Sequence, residues 1–184
     1  MRIISGRARG TKLHTLEGTA TRPTLDRVKE SLFNILQSKL QNAIVIDMFA
    51  GSGALALESL SRGAQKAYVC DNNRSAIRII KANAEKTHFE EKVHILEVDY
   101  KKAIARIPEQ ADVIFIDPPY ERNIAVDAVK RVMEHNLLKE DGIIILETDQ
   151  LERDEPQLKN IENIKMEDLR DYGRVKLIFL NRKG

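Results

Sequence analysis

Asp117-Pro118-Pro119-Tyr120 joins a carboxylate, two proline carbonyls and an aromatic ring in four residues. Residues 111–117 before the prolines are apolar, β-branched and aromatic, which predicts a short strand buried on both faces. Neither proline can continue a sheet ladder, and neither has an N–H to donate. The turn therefore offers acceptors beside a ring. That inventory suits a planar base whose exocyclic amine donates hydrogen bonds while its face is stacked. Asp117 and the carbonyl of Pro118 are the candidate amine acceptors, and Tyr120 is the candidate stacking ring. An Asp-Pro turn alone is common punctuation at a strand end, so this tetrapeptide needs a second site before it implies chemistry.

Residues 44–58 supply one: an apolar strand ending in Asp47, a turn through Phe49, Ala50, Gly51, Ser52 and Gly53, then a helix-forming run. Glycines at 51 and 53 allow close backbone approach to a ligand, and the first N–H groups of the helix point at whatever sits there. Gly51-Ser52-Gly53 with Ala56 also fits the dinucleotide pattern. Asp47, four residues before Gly51, decides against a pyrophosphate, which it would repel. It suits a cationic amino group. S-adenosyl-L-methionine has an α-ammonium, a sulfonium and no phosphate, so the residue types favour it over a nicotinamide cofactor.

Two further acids fit the same ligand. Residues 66–71 read as a strand ending in Asp71, 18 residues beyond Gly53, with Asn72 following. An acid at that spacing accepts the ribose hydroxyls. Residues 93–98 read as a third strand, followed by Asp99 and Tyr100, which suit the adenine amine and ring. Each acid has an ordinary alternative as a helix N-cap, and for Asp99 the two stand level. Four strands ending in Asp are harder to explain that way, because the carboxyl ends of parallel strands share one edge, where ligands bind.

The elements that would hold these residues alternate. Residues 24–40 form an amphipathic helix, with Thr24 as its cap after Pro23. Strands at 44–47, 66–71, 93–98, 111–117 and 142–148 interleave with helices at 53–62, 73–86, from about 100, and 123–135. That order implies βαβ units and a parallel sheet with helices on both faces. Residues 151–160, polar and acidic with Pro156, read as a surface loop. Residues 161–169 and 175–181 read as an antiparallel hairpin turning at Gly173. Residues 1–15, with Gly6 and Gly10, read as a short hairpin-like arm.

The 184 residues fit one domain with a long enough chain for a proper core. The expected division is a basic arm over 1–20 and a catalytic domain over 21–184. No apolar run approaches a membrane span and no leader-like apolar segment opens the chain, so a cytoplasmic protein is expected. A single cysteine, Cys70, excludes an internal disulfide. The four histidines have no metal-ligand spacing, and no metal is expected. Nothing such as a heptad pattern requires a partner subunit, so a monomer is expected. The net charge of +2 hides an asymmetry: Arg2, Arg7, Arg9, Lys12 and Arg22 oppose only Glu17 in residues 1–25, which therefore carry +4 and leave −2 for the remainder. A basic arm on a near-neutral body is what a polyanion binder presents.

Glycine loop, strand-end acids, Asp-Pro-Pro-Tyr and terminal hairpin together resemble class I S-adenosylmethionine-dependent methyltransferases with a Rossmann-like fold. Residues 1–10 (MRIISGRARG) and 22–34 (RPTLDRVKESLFN) narrow the resemblance to the RsmD family of bacterial 16S ribosomal RNA guanine-N2 methyltransferases. It implies transfer of a methyl group to the 2-amino group of a guanine in 16S rRNA of the small ribosomal subunit, in a bacterial cytoplasm. On this sequence it places Asp47 and residues 49–53 at the methionine part of the cofactor, Asp71 at ribose, and Asp99 and Tyr100 at adenine. It places Asp117, Pro118 and Tyr120 at the target base, with Arg22 to Thr24 closing over the cofactor. The alternatives are the same chemistry on DNA adenine or cytosine or another RNA guanine, a nicotinamide oxidoreductase, and a silent RNA-binding module. The first often carries a target-recognition domain for which 184 residues leave little room. The second lacks a catalytic Tyr/Lys or His near its cofactor. The third is opposed by an intact glycine loop and Asp-Pro-Pro-Tyr.

Overall fold

A computed structural model describes residues 1–17, 23–119 and 123–184, with the side chains of 23–25 outside that description. Helix α1 (Pro23–Leu40) leads into strand β1 (Ile44–Asp47). Then follow α2 (Ala54–Ser61), β2 (Lys66–Cys70), α3 (Arg74–Thr87), β3 (Val93–Leu96), α4 (Tyr100–Arg106), β4 (Ala111–Ile116), α5 (Ile124–Glu134) and β5 (Leu138–Thr148). Helix α6 (Leu151–Lys159) and strands β6 (Ile164–Tyr172) and β7 (Val175–Arg182) complete the chain. One seven-stranded sheet has the order β3-β2-β1-β4-β5-β7-β6. The first five strands in that order pair in parallel, and β7 pairs antiparallel with both β5 and β6.

The central strands are apolar on both faces because both are covered. Along β4, Val113 and Phe115 face one core, shared with α1, α2 and α3. Ile114 and Ile116 face the other, shared with α4, α5 and α6. Ile143 and Ile145 against Ile144 and Leu146 repeat the alternation in β5. The strand order reverses between β1 and β4, and the carboxyl ends there open a crevice of the kind that receives ligands in such sheets.

Strand β3 stops at Leu96, two residues short of its expected end, and β6 lies three residues later than expected; two further expectations need a larger correction. Residues 151–160 do not form a surface loop: 151–159 are helical, and the inward residue is an acid. The fully buried Asp154 accepts from Thr148 Oγ1 at 2.6 Å and from Arg153 Nε at 2.8 Å, with Leu158 buried one turn on. Pro156 forfeits the bond to the Glu152 carbonyl, a small loss in a helix that ends three residues later. Strand β5 also begins at Leu138 rather than 142. Its polar start pairs at the rim, where Lys139 Nζ meets Asp112 Oδ2 at 2.8 Å.

The amino-terminal hairpin forms, pairing Arg2 with Lys12 and turning through Gly6 and Gly10 in positive φ. It is docked rather than free, since Ile3 and Leu13 join the core. Gly6 lies so close to the Ser61 carbonyl that a Cβ would sit 1.9 Å from that oxygen. Beneath the hairpin, Glu58 of α2 is fully buried and accepts from the N–H groups of Ile4 and Ser5 at 2.8 and 3.0 Å. The same carboxylate meets Arg62 Nε at 2.8 Å and Lys29 Nζ at 3.2 Å. Such a cluster is a modest net stabiliser, but removal of one member strands the others in a dry site. Glu58→Ala is therefore expected to cost about 3–5 kcal/mol, read as a fall in the urea midpoint with an unchanged slope. A loss under about 1 kcal/mol would mean that water reaches the cluster and screens it.

Candidate active site

Three carboxylates converge at the crevice because of strand periodicity. Asp47 continues the face of Val45, Asp117 that of Val113 and Phe115, and Glu147 that of Ile143 and Ile145. Phe115 pairs with Ile145, so Asp117 and Glu147 end neighbouring strands one step further on. All three border a cavity of about 270 Å³, roofed by Val28, Lys29 and Leu32 of α1 and floored by the carboxyl ends of β1, β4 and β5. Residues 49–52 of the glycine loop close one end.

Asp47 is 2% exposed, and its Oδ2 has no hydrogen-bond partner among the described residues. Burial, offset by a backbone hydrogen bond at Ala56 and reinforced by the Asp71 charge, pushes its carboxyl up to about 7. An orphaned buried acceptor of this kind fits an incoming cation. The loop beside it is rigid: Ala50 N–H donates to the Cys70 carbonyl at 2.9 Å and Gly51 N–H to Asp71 Oδ2 at 2.9 Å. Gly51 has φ 56°, and a Cβ there would meet nothing within 4 Å, so the loop borders open space. Buried Asn83 ties the loop to the hairpin's exit, donating to the carbonyls of Ser52 and His14, both at 2.9 Å. Thr15 and Leu16, just beyond, join the cavity wall.

Asp71 does more than end β2: its Oδ1 accepts from Asn73 N–H while Oδ2 holds Gly51. Asn72 is exposed beside it. Asp99 caps α4, accepting from the N–H groups of Lys101 and Lys102 at 3.0 and 3.2 Å. The Tyr100 hydroxyl donates to Asp127 Oδ2 at 2.6 Å, and its ring lies 5.4 Å from that of Phe49. Phe49 thus links the cavity wall to the Asp99 and Tyr100 side, which lies outside the cavity's lining together with Asp71 and Asn72. Cys70 is buried and its thiol pushed up, by burial first, so it is inert.

At the end of the neighbouring strand, Asp117 is half-buried and Pro118 buried. Burial, then Glu147 and Asp47, hold the Asp117 carboxyl well above the ordinary carboxylate range. Tyr120 and Arg22 fall outside the described residues, as does the side chain of Thr24. Lys29, Glu147, Asn83 and Glu58 are the residues to which sequence alone assigns no role. Lys29 is 6% exposed and donates to the Arg2 carbonyl at 2.8 Å as well as to Glu58. The hairpin cations Arg2, Arg7, Arg9 and Lys12 are exposed, with the Arg7 guanidinium 5.2 Å above the Phe89 ring.

The family model described as conserved hypothetical protein 95 matches residues 1–181. The chain belongs to the RsmD family. A Haemophilus influenzae relative named ribosomal RNA small subunit methyltransferase D is 37% identical over 160 residues, 85% of this chain and 81% of that protein. The Escherichia coli K12 protein of the same name is 32% identical over 149 residues, 81% and 75% of the two chains. The solved structure of Escherichia coli yhhF superposes with a TM-score of 0.88 at 30% identity, covering 100% of this chain and 98% of that one. The RsmD-family fold is therefore Rossmann-like and class I, as the strand order indicates. No helix among the described residues is long and apolar enough to cross a membrane.

Proposed function

We propose that this chain transfers a methyl group from S-adenosyl-L-methionine to the exocyclic 2-amino group of a guanine in 16S rRNA of the small ribosomal subunit. The observation that carries the reading is the row of strand-end carboxylates, with Asp47 Oδ2 buried without a partner among the described residues and Asp117 opening onto the same cavity. The relatives named ribosomal RNA small subunit methyltransferase D supply the substrate class. When bound, S-adenosyl-L-methionine supplies a methyl group already activated by its sulfonium.

The chain's own residues then divide the work. Asp47 takes the α-ammonium, and Phe49, Ala50, Gly51, Ser52 and Gly53 shape the methionine end. Asp71 and Asn72 take the ribose hydroxyls, while Asp99 and Tyr100, braced by Phe49, flank the adenine. Arg22 and Thr24 are assigned the closing of the cofactor site on the family resemblance alone. The guanine amine is a poor nucleophile, because its lone pair is delocalised into the ring. Asp117 and the Pro118 carbonyl accept its hydrogen bonds, align it, and stabilise the positive charge that develops on nitrogen. Asp117, with its raised proton affinity, can hold the released proton at a carboxylate oxygen. Tyr120 stacks on the base, a contact worth about 1–3 kcal/mol in comparable settings. The base must leave its stack to enter, and Arg2, Arg7, Arg9 and Lys12, on the arm over residues 1–20, hold nearby phosphates without reading sequence.

Labelled methyl from S-adenosyl-L-methionine, offered to small subunits from cells lacking the protein, is expected to be recovered as N2-methylguanosine. Naked 16S RNA and duplex DNA run beside them. Label confined to DNA, or recovered on another nucleoside, would overturn the assignment.

A further inference from the structure

Glu147 is the acid in the cavity wall for which the proposed reaction has assigned no task. It is the penultimate residue of β5, on the same sheet face as Asp47 and Asp117 and beside the latter. It borders the cavity shared by Asp47 and Asp117 and also the cleft behind Pro118 and Pro119. Its charge bears directly on Asp117. Its position is fixed by its neighbour: Thr148 Oγ1 donates to buried Asp154 and accepts from Gln150 N–H at 2.9 Å, which anchors the strand end to α6. The other charged groups around it are Lys29 on α1, Asp47 on β1, and Asp149, Arg153 and Asp154 along the cleft.

One carboxylate is enough to orient an exocyclic amine, whichever base carries it. A second one at its side discriminates. Guanine presents N1–H next to its 2-amino group, two adjacent donors. Adenine presents N6–H next to the N1 lone pair, and cytosine presents N4–H next to the N3 lone pair, a donor beside an acceptor in both. A carboxylate facing the second position attracts guanine and repels the other two, and a site built on polar pairing rejects the wrong partner far more strongly than shape alone does. We propose that Glu147 is a specificity determinant that accepts the guanine N1–H while Asp117 and Pro118 accept the adjacent 2-amino group. This rests on the methyltransferase function above and extends it to the choice of base.

The test uses wild type, Glu147→Ala and Glu147→Gln on small subunits from cells lacking the protein, with labelled S-adenosyl-L-methionine and nucleoside analysis. Calorimetry measures cofactor affinity of each. Glu147→Ala is expected to lower kcat/KM for N2-methylguanosine about 100-fold. The isosteric Glu147→Gln is expected to lower it about tenfold, since its amide oxygen still accepts but without charge. Cofactor affinity should stay within about threefold in both. Should Glu147→Ala fail to fold, Glu147→Gln decides alone. N2-methylguanosine formation within threefold of wild type in the folded variants overturns the role of Glu147 and leaves the reaction standing. Wild-type label on a base other than guanine overturns the reaction, and the base-reading role with it.

Discussion

Replacement of Asp117 by alanine is expected to lower methyl transfer roughly 10³-fold while cofactor affinity changes by less than about threefold. Asp117 and Asp47 end neighbouring strands on one sheet face, and the cofactor's cationic end is assigned to Asp47. Removing Asp117 deletes the acceptor that holds the amine in line and answers its developing charge. Asp117→Asn keeps an acceptor but no charge and should fall between. Because burial, Glu147 and Asp47 all raise the Asp117 carboxyl, wild-type turnover should rise with pH through a window displaced upward from ordinary carboxylates. Single-turnover transfer at saturating cofactor, run across pH, measures both effects. Turnover by Asp117→Ala within tenfold of wild type would remove Asp117 from the transfer step.

Sequence patterns exposed the skeleton of this site better than its walls. The buried strands β1, β2 and β4 are apolar runs with an acid at or just past their ends, and that contrast is visible without coordinates. β1 is placed to the residue, and β2 and β4 lie within one residue of their expected ends. Helix α6 escaped because its buried stripe is one leucine and one aspartate, which hydropathy cannot distinguish from a solvated loop. The start of β5 is hidden for a similar reason, since Lys139, Glu140 and Asp141 are polar and lie in the irregularity between the Leu138 and Ile143 pairings. Asp99 shows a further limit: a cap and a ligand acceptor require the same residue at the same place, and only the bonds to Lys101 and Lys102 establish the cap. Asn83 and Glu147 belong to no motif, and Lys29 sits within the 22–34 stretch with no role of its own marked there. Each is a single polar residue on a helix or strand, and what gives it meaning is the residue from another element that it faces.

Asp47→Asn should separate binding from stability, because the residue assigned to the cofactor's ammonium is also a buried, unfavourably placed acid. Its carboxyl stands near 7 in the fold against 3.8 for the free side chain. Between those values the folded protein keeps a proton that the unfolded chain has released, so stability declines as pH rises from about 4 to about 7. The full effect is at most on the order of 4 kcal/mol. Asparagine cannot ionise, so the variant should match wild type near pH 4 and be more stable at pH 8 by several degrees in Tm, at about 2–4 °C per kcal/mol for this size. Asp117 contributes a slope of the same sign, so the variant's pH dependence should flatten without vanishing. Cofactor affinity should move the other way. Loss of a buried charge partner is worth about 3 kcal/mol, roughly 100-fold. In wild type the same linkage predicts release of a proton on cofactor binding at pH 6, and an apparent affinity that falls about tenfold per unit below pH 7. Calorimetry in buffers of differing ionisation enthalpy counts that proton, and the Asp47 share of it should be missing in the variant. A variant that binds within threefold of wild type, with the same proton release, would show that the orphaned Oδ2 is not where the ammonium sits.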